Sequence, residues 1–511
     1  MYPGHWAKVD PNRLAVIMGS SGETLTYGQL DERSNRLARL LTDAGLTRGD
    51  HIALLMENHP RFFEVTWAAL RSGLYLTPVN RHLTAEEVQY ILADSEAKVL
   101  VTSGAMAEVA TKVDWDALPM VERRLMIEGE APGFDAYEDA LAEHSPDPLD
   151  DETSGSMMLY TSGTTGRPKG VLRPLPDTPP DAPQVGGVSA MFGFGEDTVY
   201  LSPAPLYHAA PLGFTTSVQR GGGTSVVMER FDAAAALQLI EKHRVTHSQW
   251  VPTMFVRMLA LPEEERLAFD LSSHQVAVHA AAPCPVDVKR QMIEWWGPIL
   301  LEYYGSTEGV GMTIITSAEW LEHPGSVGRD VRETVHIIGE DGNEVPRGEV
   351  GLVYFSGPST FVYKDDADKT AALRLPGGLS TVGDAGYLDE DGWLYLADRK
   401  DFMIIAGGVN IYPREIEDVL IMHPAVLDVA VFGVPDPDLG EQVKAAVQLA
   451  AGHDANPTLA QDLIAYCRER LAGFKCPRSV DFVEELPRTP TGKLRKHVLR
   501  DPYWKKADTP S

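Results

Sequence analysis

Over roughly the first 300 residues, short β-rich runs alternate with longer amphipathic patterns, and few architectures tolerate that rhythm. The runs are HIALLM (51–56), KVLVTS (98–103), SMMLYTS (156–162), TSVVME (224–229), VAVHAAAP (276–283) and ILLEYYG (299–305). Between them stand helical patterns such as FDAAAALQLIEKH (231–243) and VDVKRQMIEWW (286–296). Such alternation predicts parallel, doubly wound sheets covered by helices. Two helix starts carry their own signature: Thr26 with Gln29, and Thr84 with Glu87, are spaced as capping boxes, and Gly45 stops the first helix.

The texture changes near residue 325. VHIIGEDGNEVPRGEVGLVYFSG (335–357) reads as strands joined by Asp-Gly turns, an antiparallel barrel-like unit. After GYLDEDGWLYLADRKD (386–401), whose DEDG predicts a hairpin turn, comes a smaller α+β tail. The fold class expected is therefore α/β. A large N-terminal domain (1–398) combines doubly wound α/β subdomains with a β-barrel-like subdomain, a hinge spans 399–402, and a small, mobile α+β domain fills 403–511. The Pro-rich stretch 173–187 is expected to be an exposed loop.

Composition narrows the function classes. With 511 residues, two or more cores are expected. Lys and Arg number 45 against 73 Asp and Glu, a net charge of −28 that disfavours nucleic acid and anionic membranes. Any anionic substrate must be held by local donors. Cys284, Cys467 and Cys476 lack metal-like spacing and fit free thiols in a reducing cytoplasm. The first residues, MYPGHWAKVDPNR, contain no apolar leader, and no run approaches the ~18 apolar residues of a membrane span. A soluble, cytoplasmic protein is expected.

YTSGTTGRPKG (160–170) cannot build a core. Its glycines, 163, 166 and 170, let a backbone approach an anion; Thr161, Ser162, Thr164 and Thr165 offer hydroxyls, and Lys169 adds charge. If SMMLY is a buried strand, the loop leaves a strand end, where open α/β sheets bind ligands. It is not a Walker A sequence, because Gly170 follows Lys169 where Ser or Thr is required. Composition alone leaves a flexible surface loop and a phosphate grip both open.

Four strings in order settle the choice: YTSGTTGRPKG, YYGSTEG (303–309), GDAGYLDEDGWLYLADRKDFMIIAGGVNIYPREIE (383–417) and PRTPTGKLRK (487–496). Together they resemble the adenylate-forming superfamily of acyl-CoA synthetases, amino-acid adenylation domains and beetle luciferases, over nearly the whole chain. The resemblance implies that the loop, including Gly163 and Lys169, grips the β- and γ-phosphates of ATP. It implies that Thr161 and Glu308 hold Mg²⁺, an ion that favours hard oxygen ligands, and that Thr307 contacts the α-phosphate. Tyr304 offers a flat face for adenine, and Ala281, Ala282 and Pro283 match the segment whose backbone lies beside the base. Asp384 can accept both ribose hydroxyls, and Arg399 reaches the nucleotide. Lys493 bridges the substrate carboxylate and the α-phosphate, where positive charge stabilises a pentavalent transition state. Taken singly, each of these residues has a plainer reading: a solvated loop carboxylate for Glu308, a core aromatic for Tyr304, a surface ion pair for Arg399 and a linker acid for Asp401.

A carboxylate oxygen leaves badly, so the family first makes an acyl-adenylate and then transfers the acyl group to a thiol. Rotation about a hinge at Asp401 is implied between the two steps. It withdraws Lys493 and brings in Gly407, Gly408 and Asn410, where Gly408 leaves room for a pantetheine arm. The acid is expected to be apolar. Amino-acid-activating relatives carry an Asp for the ammonium, whereas PLYHAAPLGF (205–214) has Tyr207 and His208 and no acid. Acetate-activating relatives carry Trp where this chain has Gly305, so a deeper pocket is expected. His208, Phe214, Trp250 and Phe255 are the candidate walls, although periodicity would place the aromatics in the core and His208 is equally a structural histidine.

The expected activity is an AMP-forming acid–CoA ligase using ATP, Mg²⁺ and CoA on a fatty, aryl or steroid-type acid. Only 18 residues follow Lys493, so no fused carrier domain is expected. The alternatives are an acyl-AMP ligase that loads a separate carrier protein and a non-catalytic adenylate-binding protein. Expected partners are these small molecules, with no nucleic acid and no integral membrane; a homodimer is compatible with the chain.

Overall fold

The computed structural model describes residues 2–161, 168–182, 187–330, 334–399, 402–406, 409–488 and 494–507. Of residues 187, 188, 398, 399, 410, 506 and 507 it describes the backbone only. Compactness divides the chain into two interleaved units. The first holds Met1–Trp250, Leu261–Val278 and Thr360–Ala372, and the second holds Val251–Ala260, His279–Ser359 and Leu373–Ser511.

The first unit contains two largely parallel sheets. One has six strands in the order Asp135–Ala136, Arg123–Ile127, Ala97–Ser103, His51–Leu55, Tyr75–Val79 and Ser156–Met157, every neighbour parallel. His51–Leu55 and Tyr75–Val79 are buried along their whole length, as strands covered on both faces must be. The helix Arg61–Arg71 connects these two strands, and its Phe62, Phe63, Val65 and Trp67 are buried. In the other sheet Leu14–Met18, Thr224–Val227, Val199–Ser202 and His247–Trp250 pair in parallel in that order. Both capping boxes form: Gln29 N–H donates to Thr26 Oγ1 at 3.2 Å and Thr26 N–H to the Gln29 side chain at 2.9 Å. Thr84 and Glu87 repeat the arrangement at the start of Ala85–Ser95.

SMMLY is not a single buried strand. Ser156–Met157 joins the parallel sheet, Met158 is fully buried, and Leu159–Thr161 then pairs antiparallel with Lys169–Leu172. The chain leaves the first sheet because its own return strand satisfies the next backbone groups. A third strand, Val362–Tyr363, completes this small sheet. The strands on either side of the glycine-rich stretch are therefore antiparallel partners, and the one that precedes it is not part of the parallel sheet.

In the second unit Leu300–Gly305 pairs antiparallel with Met312–Thr316. A five-stranded antiparallel sheet combines Val335–Ile338, Gly351–Ser356, Arg374–Leu375, Leu379–Leu388 and Leu394–Arg399. Its DEDG hairpin forms as expected: Asp389 N–H donates to the Trp393 carbonyl at 3.0 Å, and Gly392 takes φ +83°. Residues 403–511 contribute a separate sheet, with Val426–Asp436 paired along Gly440–Leu449 and Ser479–Val483 running parallel to the latter. Ile404, Ile416, Leu420, Val431, Val443 and Leu463 form a core of its own. Among the described residues no helix is long and apolar enough to cross a membrane.

Candidate functional site

In the second unit, the strand Leu300–Gly305 carries Tyr304 and Gly305 to its end, and the chain turns back through Thr307 and Glu308. The turn is tight. Gly309 N–H donates to the Ser306 carbonyl at 3.0 Å, and Gly309 sits at φ +66°, which a side chain would oppose. Glu308 is only 8 % exposed, so the solvated-loop reading of this carboxylate does not hold. A mostly buried acid needs partners or a cation, and an oxygen ligand is what Mg²⁺ takes up.

Tyr304 is half-buried. Its ring lies offset over Phe355, with centroids 6.1 Å apart and planes 29° apart. Its hydroxyl donates to Asp384 Oδ2 at 2.7 Å. Asp384 stands on Leu379–Leu388 just after Gly383 at φ +86°, in register with the backbone of Arg399. Two of the residues expected at the nucleotide thus come together directly.

His279 ends the strand Val276–His279, and the turn that follows contains Ala281 at φ +74°. Left-handed alanine is strained, and such strain is found where backbone shape has a use. Ala281 and Pro283 are exposed and Ala282 half-buried, leaving main chain within reach.

The first unit holds the hairpin. Thr161 and Lys169 are register partners at its rim. Lys169 is not a free cation here: its ammonium is ion-paired with Asp366. Both rims are tied to the helix Ala85–Ser95. The Tyr160 hydroxyl donates to Asp94 Oδ2 at 2.5 Å, and the Tyr90 hydroxyl donates to the Pro168 carbonyl at 3.0 Å. Burial, then the Asp94 carboxylate, pushes the Tyr160 phenol far above its ordinary pKa. Sequence reasoning missed Asp94 and Asp366. For Asp94 a signal existed, since an acid in the last turn of a helix opposes the dipole. Asp366 gave none: its partner is distant in sequence.

The three aromatic acyl-wall candidates, Phe214, Trp250 and Phe255, are sealed into the interior. Phe214, 4 % exposed, packs with Phe192, Phe194 and Tyr200 at 5.0–6.2 Å. Trp250 Nε1 donates to Ser248 Oγ at 2.5 Å, and that oxygen also meets His274 Nε2 at 2.6 Å. In the second unit Phe255, fully buried, meets His279 and Trp296 edge-on. Half-buried His208 lies against the Tyr207 ring at 4.3 Å, and its Nε2, shut off from solvent, has no hydrogen-bond partner among the described residues. Burial, then nearby His82, pushes its pKa down to about 3, so the ring is neutral.

At Gly305 a side chain has room to begin: a Cβ there would have Gly311 O at 3.4 Å and Met312 at 3.9 Å. Ser162, Gly163, Thr164, Thr165, Asp401, Gly407, Gly408 and Lys493 lie outside the described residues, as do the side chains of Arg399 and Asn410.

Comparison with known proteins gives the same answer from one end to the other. Residues 4–362 match the AMP-binding enzyme family and residues 415–493 its C-terminal domain. A feruloyl-CoA synthase from an Amycolatopsis species is 35 % identical over 98 % of both chains. The long-chain-fatty-acid–CoA ligase FadD13 of Mycobacterium tuberculosis is 34 % identical over 97 % of both. The fatty acid–[acyl-carrier-protein] ligase ScoC of Streptomyces coeruleorubidus is 34 % identical over 98 % of this chain and 95 % of its own. Among solved structures, ATP-bound MatB from Rhodopseudomonas palustris superposes with a TM-score of 0.82 at 29 % identity, covering 98 % of this chain and 99 % of its own. The chain belongs to the AMP-binding enzyme family, the adenylate-forming enzymes.

Proposed function

We propose that this protein is an ATP-dependent acid–CoA ligase that activates an apolar carboxylic acid as its acyl-adenylate. The observation that carries the reading is the 2.7 Å hydrogen bond from Tyr304 to Asp384. It sets an aromatic face beside a carboxylate, the pair that a base and its ribose require, and it joins two motifs 80 residues apart.

The acid's carboxylate attacks the α-phosphate of ATP, forming acyl-AMP and releasing pyrophosphate. The CoA thiol then loses its proton, forms the thioester bond at the acyl carbon, and expels AMP. Within this scheme Tyr304 and Ala281–Pro283 receive adenine, Asp384 the ribose and Thr307 the α-phosphate, and Arg399 reaches the nucleotide. The 160–170 loop receives the outer phosphates. The resemblance assigns Glu308 and Thr161 as oxygen donors that would hold Mg²⁺, whose charge would offset that of the phosphates. Asp366 holds Lys169 when no phosphate competes for it. Lys493 clamps the developing charge, and the 403–511 domain, with its own core, turns about 399–402 to exchange Lys493 for Gly408 and Asn410.

Two features support an apolar, extended acid: space at Gly305, and relatives named for ferulate and for long-chain fatty acids. A second reading, loading of a carrier protein, is favoured by the similarity to ScoC. We place the enzyme in the cytoplasm, where its three free cysteines, all buried, stay reduced; a homodimer belongs to the proposal and is checked by sedimentation.

The decisive test is pyrophosphate release over a panel of acids, from acetate to long-chain, aryl and steroid acids, with and without CoA. Turnover that requires CoA and prefers one apolar class is expected. Release indifferent to CoA moves the assignment to carrier loading, and silence across the panel removes catalysis altogether.

A further inference from the structure

The second unit buries an ion pair for which the scheme above has no use. Lys289, with no exposure, stands on Val286–Trp296 and donates from Nζ to Glu302 Oε2 at 2.6 Å. Glu302, 4 % exposed, lies on Leu300–Gly305. The ammonium also faces the Trp320 ring at 4.9 Å. His279, fully buried, brings its Nε2 to 3.6 Å from the same carboxylate oxygen, too far for a hydrogen bond.

The order of these residues along the chain gives them meaning. His279 immediately precedes the turn that contains strained Ala281, and Lys289 follows that turn on the first helical turn after Pro285. Lys289 also donates its backbone N–H to the Pro285 carbonyl at 3.0 Å. Both flanks of the 280–285 turn therefore converge on one carboxylate. That carboxylate sits two residues before Tyr304 and so on the same face of the strand. The two surfaces assigned to adenine, the turn and the tyrosine, are gauged against each other through Glu302.

Stability does not account for the pair. A buried ion pair gives up its hydration and is often no more stabilising than apolar side chains of the same volume. What it supplies is a fixed direction and a short, rigid separation.

We propose that Glu302 and Lys289 are positioning residues for the nucleotide, setting the spacing between the Ala281 turn and Tyr304. The inference rests on the assignment of those two elements to adenine. Without the pair the helix and strand can shift, and a misplacement of about 1 Å is enough to cost up to about a hundredfold at a site.

The variant to make is the double one, K289M/E302M, because either single apolar change strands a buried charge. ATP–Mg²⁺ binding to the full chain is followed by calorimetry, KM for ATP and for the acid by pyrophosphate release, and folding by thermal unfolding. The expected result is a folded protein whose Kd and KM for ATP rise about tenfold or more while KM for the acid stays within about twofold. A folded double variant with parental affinity for ATP overturns the proposal, as does an equal loss for ATP and acid. Should the double variant not fold, E302Q decides, since it keeps the volume and one acceptor. ATP weakened about threefold, with the acid unaffected, is expected, and unchanged ATP binding overturns the proposal. A parent protein that binds no ATP overturns the adenylate reading itself, and this inference with it.

Discussion

Two aromatic regions of the molecule are built to opposite rules. In the second unit Tyr304 keeps one side accessible, and its hydroxyl is committed to a carboxylate on another strand. In the first, Phe214 is enclosed by Phe192, Phe194 and Tyr200, aromatic against aromatic, with almost no exposure. The tyrosine region spends its polar atoms on orientation, and the phenylalanine region contributes apolar burial. Substitutions should therefore fail differently in the two: loss of binding or chemistry in one, loss of folding in the other.

The largest effect expected of an enclosed ring is from Phe255→Ala; Phe255 lies in the second unit but is buried as Phe214 is. Removing a fully buried ring leaves a cavity and should cost about 3–5 kcal/mol in denaturant unfolding, with the acid profile of the folded fraction unchanged. A loss below about 1 kcal/mol accompanied by a changed acid profile would make Phe255 a pocket wall instead and blur the contrast.

On the polar side Lys493→Ala should lower adenylate formation by about 10²–10³-fold at unchanged stability. CoA should still react with supplied acyl-AMP. Equal loss of both half-reactions would remove its assignment to the first step.

Acid pH probes the interior again. His208 and His274, both in the first unit, have pKa values pushed down to about 3, chiefly by burial. In the unfolded chain they titrate near 6.5, so it is the unfolded state that takes up protons as pH falls below that value. Their stabilisation is complete above about pH 6.5 and is lost as pH drops towards 3. Each should cost about 2 kcal/mol between pH 7 and pH 5. Urea midpoints measured across that interval should fall, and His274→Gln should flatten its share of the slope. A flat profile in the parent would mean that these rings are not neutral in the fold.

The smallest expected effect lies at Gly305, the residue that follows Tyr304 at the end of its strand. Because a Cβ fits there, Gly305→Trp should fold and move preference towards short acids by about tenfold. An unchanged profile would put the acyl pocket elsewhere.

The polar region was legible through the order of its motifs rather than through single residues: Tyr304 and Asp384 stand in two of the four strings, and the structure brings them together, although Tyr304 alone reads as a core aromatic. The apolar walls stand in none of those strings. Phe214, Trp250 and Phe255 satisfy the same pattern whether they face a ligand or one another, and the structure shows them facing protein. The alternating α/β rhythm, both capping boxes and the DEDG hairpin were also legible, being local. What escaped was non-local: the break at Met158, where pairing partners rather than propensity end a strand, and the grip of Asp366 on Lys169.

That grip comes from a segment with an unusual itinerary. Thr360–Ala372 belongs to the first unit although the residues on either side of it belong to the second. The hairpin of residues 159–172 therefore waits for its third strand, Val362–Tyr363, until synthesis has passed residue 363. During translation most of the first unit is already outside the ribosome by then, with an unpaired strand edge beside the glycine-rich loop. Such an edge is a template for wrong pairing. A ribosome-bound chain stopped short of this segment should be protease-sensitive at the hairpin, and one extended far enough for Thr360–Ala372 to clear the exit tunnel should be protected. Its biogenesis thus has a late checkpoint written into the order of its strands, and neither unit can be cut out as a contiguous gene fragment.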